Sequence, residues 1–212
     1  MPNIEDPYVE PTHPQERPLQ SSNRFAFKEW GVICAALDSG RQSLILRKGG
    51  IHEGRDGFRV EHREFWLFPT EFHQQPGVLA AEAQPALEEW RAMESAAGML
   101  LLRNYVVVEE VIEIRDESLL PRLLGLHLWS EQTLHDRFHY RAPGLFALLV
   151  RVHRRAEPLR VPQSPHFAGC RSWVDFPADF ATNGLTPVLS DETHLEQMAA
   201  IRDHLRGATA VG

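Results

Sequence analysis

Two stretches rich in β-branched and apolar residues limit the fold of this chain more than any other feature of its sequence. Residues 99–114 (MLLLRNYVVVEEVIEI) are typical of a bent or split strand, and residues 144–155 form the most apolar strand candidate. Shorter strands are predicted at 42–48, 57–62, 64–68 and around Trp173. A doubly wound fold needs regular alternation of strands and helices, which this sequence lacks. We therefore predict an α+β fold with a small, curved, mostly antiparallel sheet or a barrel, and flanking helices.

Capping residues mark the predicted helices. Residues 21–23 (SSN) can cap a helix that begins near Phe25 and ends at Gly40. Pro85 fits the first turn of a second helix. The remaining predicted helices are two short ones opened by serines and a closing amphipathic one capped by Asp191: 118–126, 130–138 and 191–205.

The 212 residues are enough for one domain with a buried core. Residues 1–23 contain five of the fifteen prolines and no apolar periodicity, so they are predicted to be a disordered, acidic, proline-rich tail. We expect a single α+β domain at 24–206 and a disordered C-terminus at 207–212.

The composition is that of an ordinary globular protein, with 43% hydrophobic and 24% charged residues. No apolar run approaches the roughly 18 residues that a membrane span needs, so no membrane partner is expected. The acidic first residues do not resemble a signal or transit peptide. Cys34 and Cys170 lie far apart without CxxC spacing, which favours reduced thiols and a cytoplasmic location. The sequence assigns no role to either cysteine.

The charges are distributed unevenly along the chain. Residues 41–63 contain six basic and three acidic residues, and residues 137–171 contain seven arginines and one acid, Glu157. This pattern predicts a basic face that steers a polyanion, or else arginines scattered over the surface. The net charge of -7 argues against an indiscriminate nucleic-acid coat.

The segment Arg47-Lys48-Gly49-Gly50 follows a predicted strand. It is not a phosphate-binding loop of the GxxxxGK[ST] kind, because the lysine precedes the glycines. Adjacent glycines permit positive φ angles, so their amides can form an anion-binding concavity beside two cations. The alternative is an ordinary hairpin turn, for which Gly-Gly is a standard signal.

Aromatic and histidine side chains are concentrated at residues 61–75. Trp66 next to basic residues predicts either base stacking or a place in the core. His62 and His73 are too far apart for a metal pair without a third ligand.

His135 and His139 share a helix face, as in zinc proteases, but Asp136 stands where those enzymes have glutamate. No third ligand is evident downstream, and the sequence therefore predicts no metal site. Cys170 precedes an arginine, which favours thiolate, but a buried thiol beside a core tryptophan is the preferred interpretation.

Several motifs together resemble one family, the domain of unknown function 1802. They are LRKGGI (46–51), FPTEFHQQ (68–75), HLWSEQ with a later RF (127–138), PHFAGCRSWVDF (165–176) and PVLSD (187–191). Their order and spacing are similar to those of the family over roughly residues 25–202. The matching positions are Arg47, Lys48, Gly49, Gly50, His62, Pro69, Thr70, His73, Gln74, His127, Trp129, Arg137, Gly169, Cys170 and Trp173. His135 and His139 are not among them.

The element order is also similar to that of ASCH and EVE domains of the PUA-like superfamily. Residues 36–42 would match the turn before a strand, and residues 148–162 the strand after a helix. Those domains are small β-barrels that bind RNA or modified nucleobases. The likeness implies a PUA-like barrel as one form of the sheet and a nucleic-acid ligand.

The first functional hypothesis is a module that binds nucleic acid, either RNA or a modified base, through a basic face at the glycine turn. Phosphate contacts are expected from Arg47, Lys48, Arg137 and Arg151, an anion nest from Gly49 and Gly50, stacking from Trp66 or Trp173, base-edge hydrogen bonds from His73 and Gln74, and further contacts from His127 and Trp129.

Two alternatives remain open. One is an enzyme that processes phosphodiesters or nucleotides, with His62 and His73 as acid and base and Lys48 stabilising charge. The other is a non-catalytic protein that binds an acidic protein partner through its basic face. No cofactor is expected, and the sequence leaves the ligand, the reaction type and the oligomeric state open.

Overall fold

The computed structural model describes residues 18–48, 60–70, 77–93, 98–169 and 171–211. The strands are β1 (Ser22–Trp30), β2 (Leu44–Arg47), β3 (Glu64–Thr70), β4 (Met99–Ile114), β5 (Leu145–Pro162), β6 (Trp173–Ala181), β7 (Thr186–Pro187) and β8 (Thr209–Val211). The helices are α1 (Gly31–Asp38), α2 (Gln84–Met93), α3 (Leu120–Leu123), α4 (Glu131–His139) and α5 (Asp191–His204), with 3₁₀ turns at Ala81–Ala83, Glu117–Leu119 and Pro165–Phe167. None of the described helices is long and apolar enough to cross a membrane.

The strands form one sheet in the order β2-β5-β4-β3-β1-β6, with β7 paired to β5 and β8 paired to β4. β1 and β3 are parallel, and the other pairings within the described residues are antiparallel. Register shifts after Leu102 and Val108 bend the long β4–β5 ladder. Within the part of the chain that the structure describes, β2 and β6 do not pair, so the sheet is open. The predicted α+β fold with a mostly antiparallel sheet is confirmed, as an open sheet rather than a barrel.

Side-chain contacts between distant strands show how strongly the sheet is curved. β2 and β1 are separated by three strands, which would place them about 19 Å apart in a flat sheet. Nevertheless the Arg47 guanidinium at the end of β2 lies 4.1 Å from the centre of the Phe27 ring in β1. The sheet therefore curls until β2 approaches β1, and the side chains of Arg47 and Phe27 meet.

The first predicted helix is largely a strand. We expected a helix from Phe25, but β1 continues to Trp30 and α1 begins only at Gly31. The capping residues and apolar spacing fit a helix locally, whereas pairing with β3 and β6 on both sides stabilises a strand. α1 begins directly after β1, at Gly31. The Trp90 ring packs so closely against Gly31 that a Cβ at this position would lie 2.2 Å from the ring.

Residues on both sides of the range 24–206 also take part in the sheet. β1 begins at Ser22, and the Gln20 amide donates a hydrogen bond to the Glu64 carboxylate at 3.0 Å. β8 pairs with β4 inside the segment that was expected to be a disordered C-terminus. Of the strand predicted at 57–62, residues 57–59 lie outside the described residues and residues 60–62 are not in a strand.

Among the described residues, the core consists of two apolar clusters. The larger one packs α1, α4 and α5 against the sheet, and the smaller one surrounds Trp66 and Tyr105. Trp66 is fully buried, and its indole N–H donates to the Asn23 carbonyl at 3.0 Å. The Tyr105 hydroxyl donates to the Glu64 carboxylate at 3.0 Å, so these buried polar groups are paired.

Candidate functional site

A buried carboxylate lies at the end of β1, inside the curl of the sheet. The Glu29 side chain is only 3% exposed, and its Oε2 lies 3.5 Å from Nη1 of Arg47. Its Oε1 accepts a hydrogen bond from the Trp30 amide at 2.7 Å. Burial raises the pKa of Glu29, while the charges of Arg47 and Arg137 act in the opposite direction. We call the group formed by Glu29, Arg47, Trp129, Arg137 and Trp173 the Glu29 site.

Arg47 connects three parts of the fold. Its guanidinium stacks on Phe27 in β1, pairs with Glu29, and donates from Nη2 to the Ser172 hydroxyl at 2.8 Å. Its side chain is nevertheless 21% exposed. The planar guanidinium is therefore held in one orientation by three neighbours and still reaches the surface.

Aromatic rings form one wall of the Glu29 site. The half-buried Trp173 ring contacts Phe27 and Phe65 edge-on, at 4.8 and 5.1 Å between ring centroids. His62 lies 5.0 Å from Trp173 and stacks on Phe25 at 3.6 Å. Burial lowers the pKa of His62, so at neutral pH this ring is an uncharged extension of the aromatic wall.

A second set of side chains at the site comes from α4 and the segment before it. The guanidinium of Arg137 lies 6.0 Å from the centre of the Trp129 ring, and Trp129 packs against Trp30 at 5.9 Å. Arg137 also lies near enough to Glu29 for its charge to lower the pKa of that carboxyl group. The site thus has two arginines whose charges act on one buried carboxylate.

His127 supports this second set of side chains from inside. Its Nδ1 accepts a hydrogen bond from the Trp129 amide at 3.1 Å, and its side chain is buried. Its Nε2 has no hydrogen-bond partner among the described residues. Burial lowers the pKa of His127 to about 4, so the ring is neutral at physiological pH. The contacts show His127 positioning Trp129.

Lys48 follows Arg47 but points elsewhere. Its ammonium group donates to the carbonyls of Phe138 and Gly144, each at 2.8 Å, and to that of Ala142. An ammonium group has three N–H donors, so these three carbonyls match its full capacity. Lys48 therefore fastens the end of β2 to the loop between α4 and β5.

Replacing Lys48 by methionine is expected to lower the free energy of unfolding by about 2 kcal/mol, because bonds from a charged donor to three carbonyls are lost. Urea unfolding would measure this change. Arg141→Met removes the same charge from an exposed side chain of the same loop and is expected to change stability by less than about 0.5 kcal/mol. Equal effects of the two substitutions would mean that Lys48 acts only through its net charge.

Other predicted ligand residues lie apart from the Glu29 site. Trp66 is in the core and has no exposed face for stacking. Arg151 pairs with Asp191 at the start of α5, and along β5 it is five residues, about 17 Å, from the strand position opposite Arg47. The remaining ones lie outside the described residues: Gly49, Gly50, His73 and Gln74, together with Cys170.

Sequence reasoning missed Glu29, Phe27 and Ser172. Glu29 and Phe27 fell within the predicted first helix, where they had no reason to share a face with Arg47. The signal that was present is the aromatic content of FAFKEW (25–30), because aromatic residues are enriched in strands, although this segment does not alternate between apolar and polar residues.

A cavity of about 240 Å³ lies apart from the Glu29 site, between α1, α2, β3 and β4. Its wall is mostly apolar and includes Leu67 and Trp90. Its acid, Asp38, accepts hydrogen bonds from Asn104 and Arg154, each at 2.6 Å. Because this carboxylate is already paired within the protein, we assign no ligand to the cavity.

Comparison with known proteins places the chain in a family. The family model described as domain of unknown function (DUF1802) matches residues 26–200. The chain belongs to this family. The prediction from the motifs is thereby confirmed, and a search among proteins with curated descriptions found no match.

Structures similar to this DUF1802 chain include that of ASCH from Zymomonas mobilis, at 14% sequence identity and a TM-score of 0.41. The alignment covers 84% of this chain and 94% of that one. A mutant of the same protein aligns at 14% identity over 82% and 96% of the two chains, also with a TM-score of 0.41. The neighbours are thus ASCH proteins, as the element order suggested, but a similarity this low says nothing about what this chain binds.

Motifs that are separate in the DUF1802 sequence meet at the Glu29 site. LRKGGI supplies Arg47, HLWSEQ and the later RF supply Trp129 and Arg137, and PHFAGCRSWVDF supplies Trp173. The segment FPTEFHQQ contributes Thr70, whose hydroxyl donates to the Glu29 carbonyl at 3.1 Å. Four of the five motifs that resemble the family therefore contribute to one place in the fold, and the fifth, PVLSD, lies at the start of α5.

Proposed function

We propose that this chain binds single-stranded nucleic acid, RNA or a modified base within it, and that the Glu29 site receives one nucleotide. The observation that carries the proposal is the placement of two arginines and an aromatic wall around one curled sheet end. Arginine recognises phosphate, and aromatic rings stack on bases of any sequence. Their combination at one site fits a nucleotide better than it fits either a simple anion or an apolar ligand.

Arg47 is proposed to contact a phosphate. Its pairing with Glu29 and Ser172 fixes the plane of the guanidinium before a ligand arrives, so little side-chain entropy is lost on binding. Glu29 itself is too deeply buried to meet the ligand directly. Its proposed role is to position Arg47.

Trp173 and Arg137 are proposed to hold the base and a second phosphate. Trp173 is half-buried, so part of its ring remains accessible while Phe27 and Phe65 fix its orientation. Arg137 lies next to Trp129 and near enough to Glu29 for its charge to act on that carboxyl group. The exposed Arg63 and Arg171 are each next in sequence to His62 or Ser172, and they extend the positive charge at the rim.

The enzymatic alternative has less support from the described residues. It needs Lys48 to stabilise charge, and the ammonium group of Lys48 contacts three backbone carbonyls instead. It also needs His73, which lies outside the described residues. Binding of an acidic protein would use the same arginines but would not require an accessible tryptophan.

Stacking on Trp173 gives the sharpest test of the proposal. Fluorescence anisotropy with a labelled single-stranded RNA is expected to show binding that weakens about tenfold in Trp173→Leu, since stacking contributes about 1–3 kcal/mol per base. Trp173→Phe keeps an aromatic face, so its affinity for the RNA is expected to lie between those of the wild type and Trp173→Leu. Circular dichroism would confirm that both variants fold. If folded Trp173→Leu binds the RNA as tightly as the wild type, no base stacks on Trp173 and that part of the proposal is wrong. If the wild type binds an acidic peptide as tightly as it binds the RNA, the protein-partner alternative is favoured.

A further inference from the structure

Three side chains with metal-ligand chemistry meet on the surface, away from the aromatic wall. Nε2 of His135 lies 3.1 Å from Oε1 of Glu117, and Nε2 of His139 lies 3.0 Å from the same oxygen. The two imidazole rings are 4.4 Å apart between centroids. All three side chains are about half exposed, so an ion could reach them from solvent.

The backbone brings these groups together from two elements. His135 and His139 are four residues apart on α4, so they lie one above the other on the same helix face. Glu117 opens the 3₁₀ turn before α3, where the Asp116 side chain caps the turn by accepting the Ser118 amide. Arg137 lies between the two histidines in sequence and therefore on a different side of the helix, toward the Glu29 site.

We propose that Glu117, His135 and His139 form a binding site for a divalent transition-metal ion, with Zn²⁺ as its best match. Two imidazole nitrogens and one carboxylate oxygen are a ligand set that Zn²⁺ uses in proteins, with a water molecule as the fourth ligand. Ligand atoms about 2.0–2.1 Å from a tetrahedral ion are about 3.3 Å apart, close to the separations between each histidine nitrogen and Glu117. Small rotations of the exposed side chains would admit the ion.

The third ligand explains why the sequence did not suggest this site. The histidine pair resembles half of a zinc-protease motif, and in that motif the third ligand is sought downstream. Here it comes from Glu117, which precedes the pair by eighteen residues and is brought to it by the packing of α3 against α4. The ion would therefore connect α4 to the preceding segment, and we assign it a stabilising role with no part in the chemistry of the Glu29 site.

The test uses the full chain without a histidine tag. Titration with Co²⁺ is expected to give the absorption bands of a tetrahedral ion, and Zn²⁺ is expected to displace it at one ion per chain. Loss of a residue that only hydrogen-bonds to a metal ligand typically weakens metal binding about tenfold or more, and loss of a ligand should cost at least as much. Glu117→Gln and His139→Ala should therefore both bind Zn²⁺ at least about tenfold more weakly than the wild type. His166→Ala removes an exposed histidine elsewhere and should bind like the wild type.

Thermal unfolding provides a second reading of the same site. An ion that binds only the folded chain raises the melting temperature, so at a given concentration Zn²⁺ should stabilise the wild type and His166→Ala more than Glu117→Gln. Glutamine keeps the size of glutamate and can still hydrogen-bond a histidine, which preserves the fold. The proposal is overturned if no saturable binding occurs, or if Glu117→Gln binds Zn²⁺ as tightly as the wild type.

Discussion

Acidification from about pH 6.5 to pH 4 is expected to lower the free energy of unfolding by about 5 kcal/mol through two buried histidines, His127 and His153. Burial lowers the pKa of each to about 4 from the ordinary 6.5. The unfolded chain therefore takes up protons over this range while the folded chain does not, so each histidine contributes stability that is lost as the pH falls. For His153 the nearby charges of Arg151 and His194 act in the same direction as burial.

Urea unfolding at about pH 7, 5.5 and 4.5 would measure this loss, because those values span the pH range between the two pKa values of each histidine. The double variant His127→Gln and His153→Gln cannot take up these protons, so its stability should depend much less on pH than that of the wild type. His166→Gln changes an exposed histidine and should follow the wild type. If the free energy of unfolding falls with pH equally in the wild type and the double variant, His127 and His153 do not cause the loss of stability.

Replacing Arg47 by methionine is expected to destabilise the fold by about 3 kcal/mol at neutral pH, because it leaves the buried Glu29 carboxylate without its ion-pair partner. The size of this effect should depend on pH. Burial already raises the pKa of Glu29, and the loss of Arg47 removes an interaction that lowers it. The raised pKa means that the folded state gains stability on protonation as the pH falls toward 4.5, the ordinary value. The difference between the variant and the wild type should therefore narrow between about pH 7 and pH 5.

A double-mutant cycle separates the ion pair from simple loss of packing. Adding Glu29→Gln to Arg47→Met removes the unpaired charge, so the double variant should be more stable than Arg47→Met alone. Arg206→Met breaks an exposed ion pair near the C-terminus and should have little effect. If Arg47→Met costs no more than Arg206→Met, or if Glu29→Gln gives no recovery, the buried pair does not stabilise the fold.

Elements with strong local signals were predicted well. The strand expected at 99–114 has those bounds in β4, because a long run rich in β-branched and apolar residues fits the pleated, half-buried surface of a sheet. Ser130 caps α4 as expected, with its hydroxyl accepting the Thr133 amide. In both cases the information lies within a few neighbouring residues.

The site depends on contacts that the sequence does not show. Arg47 contacts Glu29 and Ser172 only because the sheet curls. The Lys48 side chain points away from the Glu29 site because its ammonium group binds three carbonyls that lie some ninety residues further along the chain. Glu117 was likewise not recognised as a partner of His135 and His139, because it lies eighteen residues before His135 in the sequence. Motifs indicated which segments belong together, but whether a side chain holds the fold or faces a ligand was decided by tertiary packing.

The central claim is that the arginines of the Glu29 site bind a nucleic-acid backbone. The most direct measurement is the affinity for a single-stranded RNA across a salt series, for the wild type, Arg137→Ala and the matched control Arg206→Ala. Each phosphate contact contributes about 0.7 to the slope of log affinity against log salt, so Arg137→Ala should bind more weakly with a slope smaller by about that amount. Arg206→Ala should match the wild type. Absence of binding at low salt, or equal losses in the two variants, would contradict the claim.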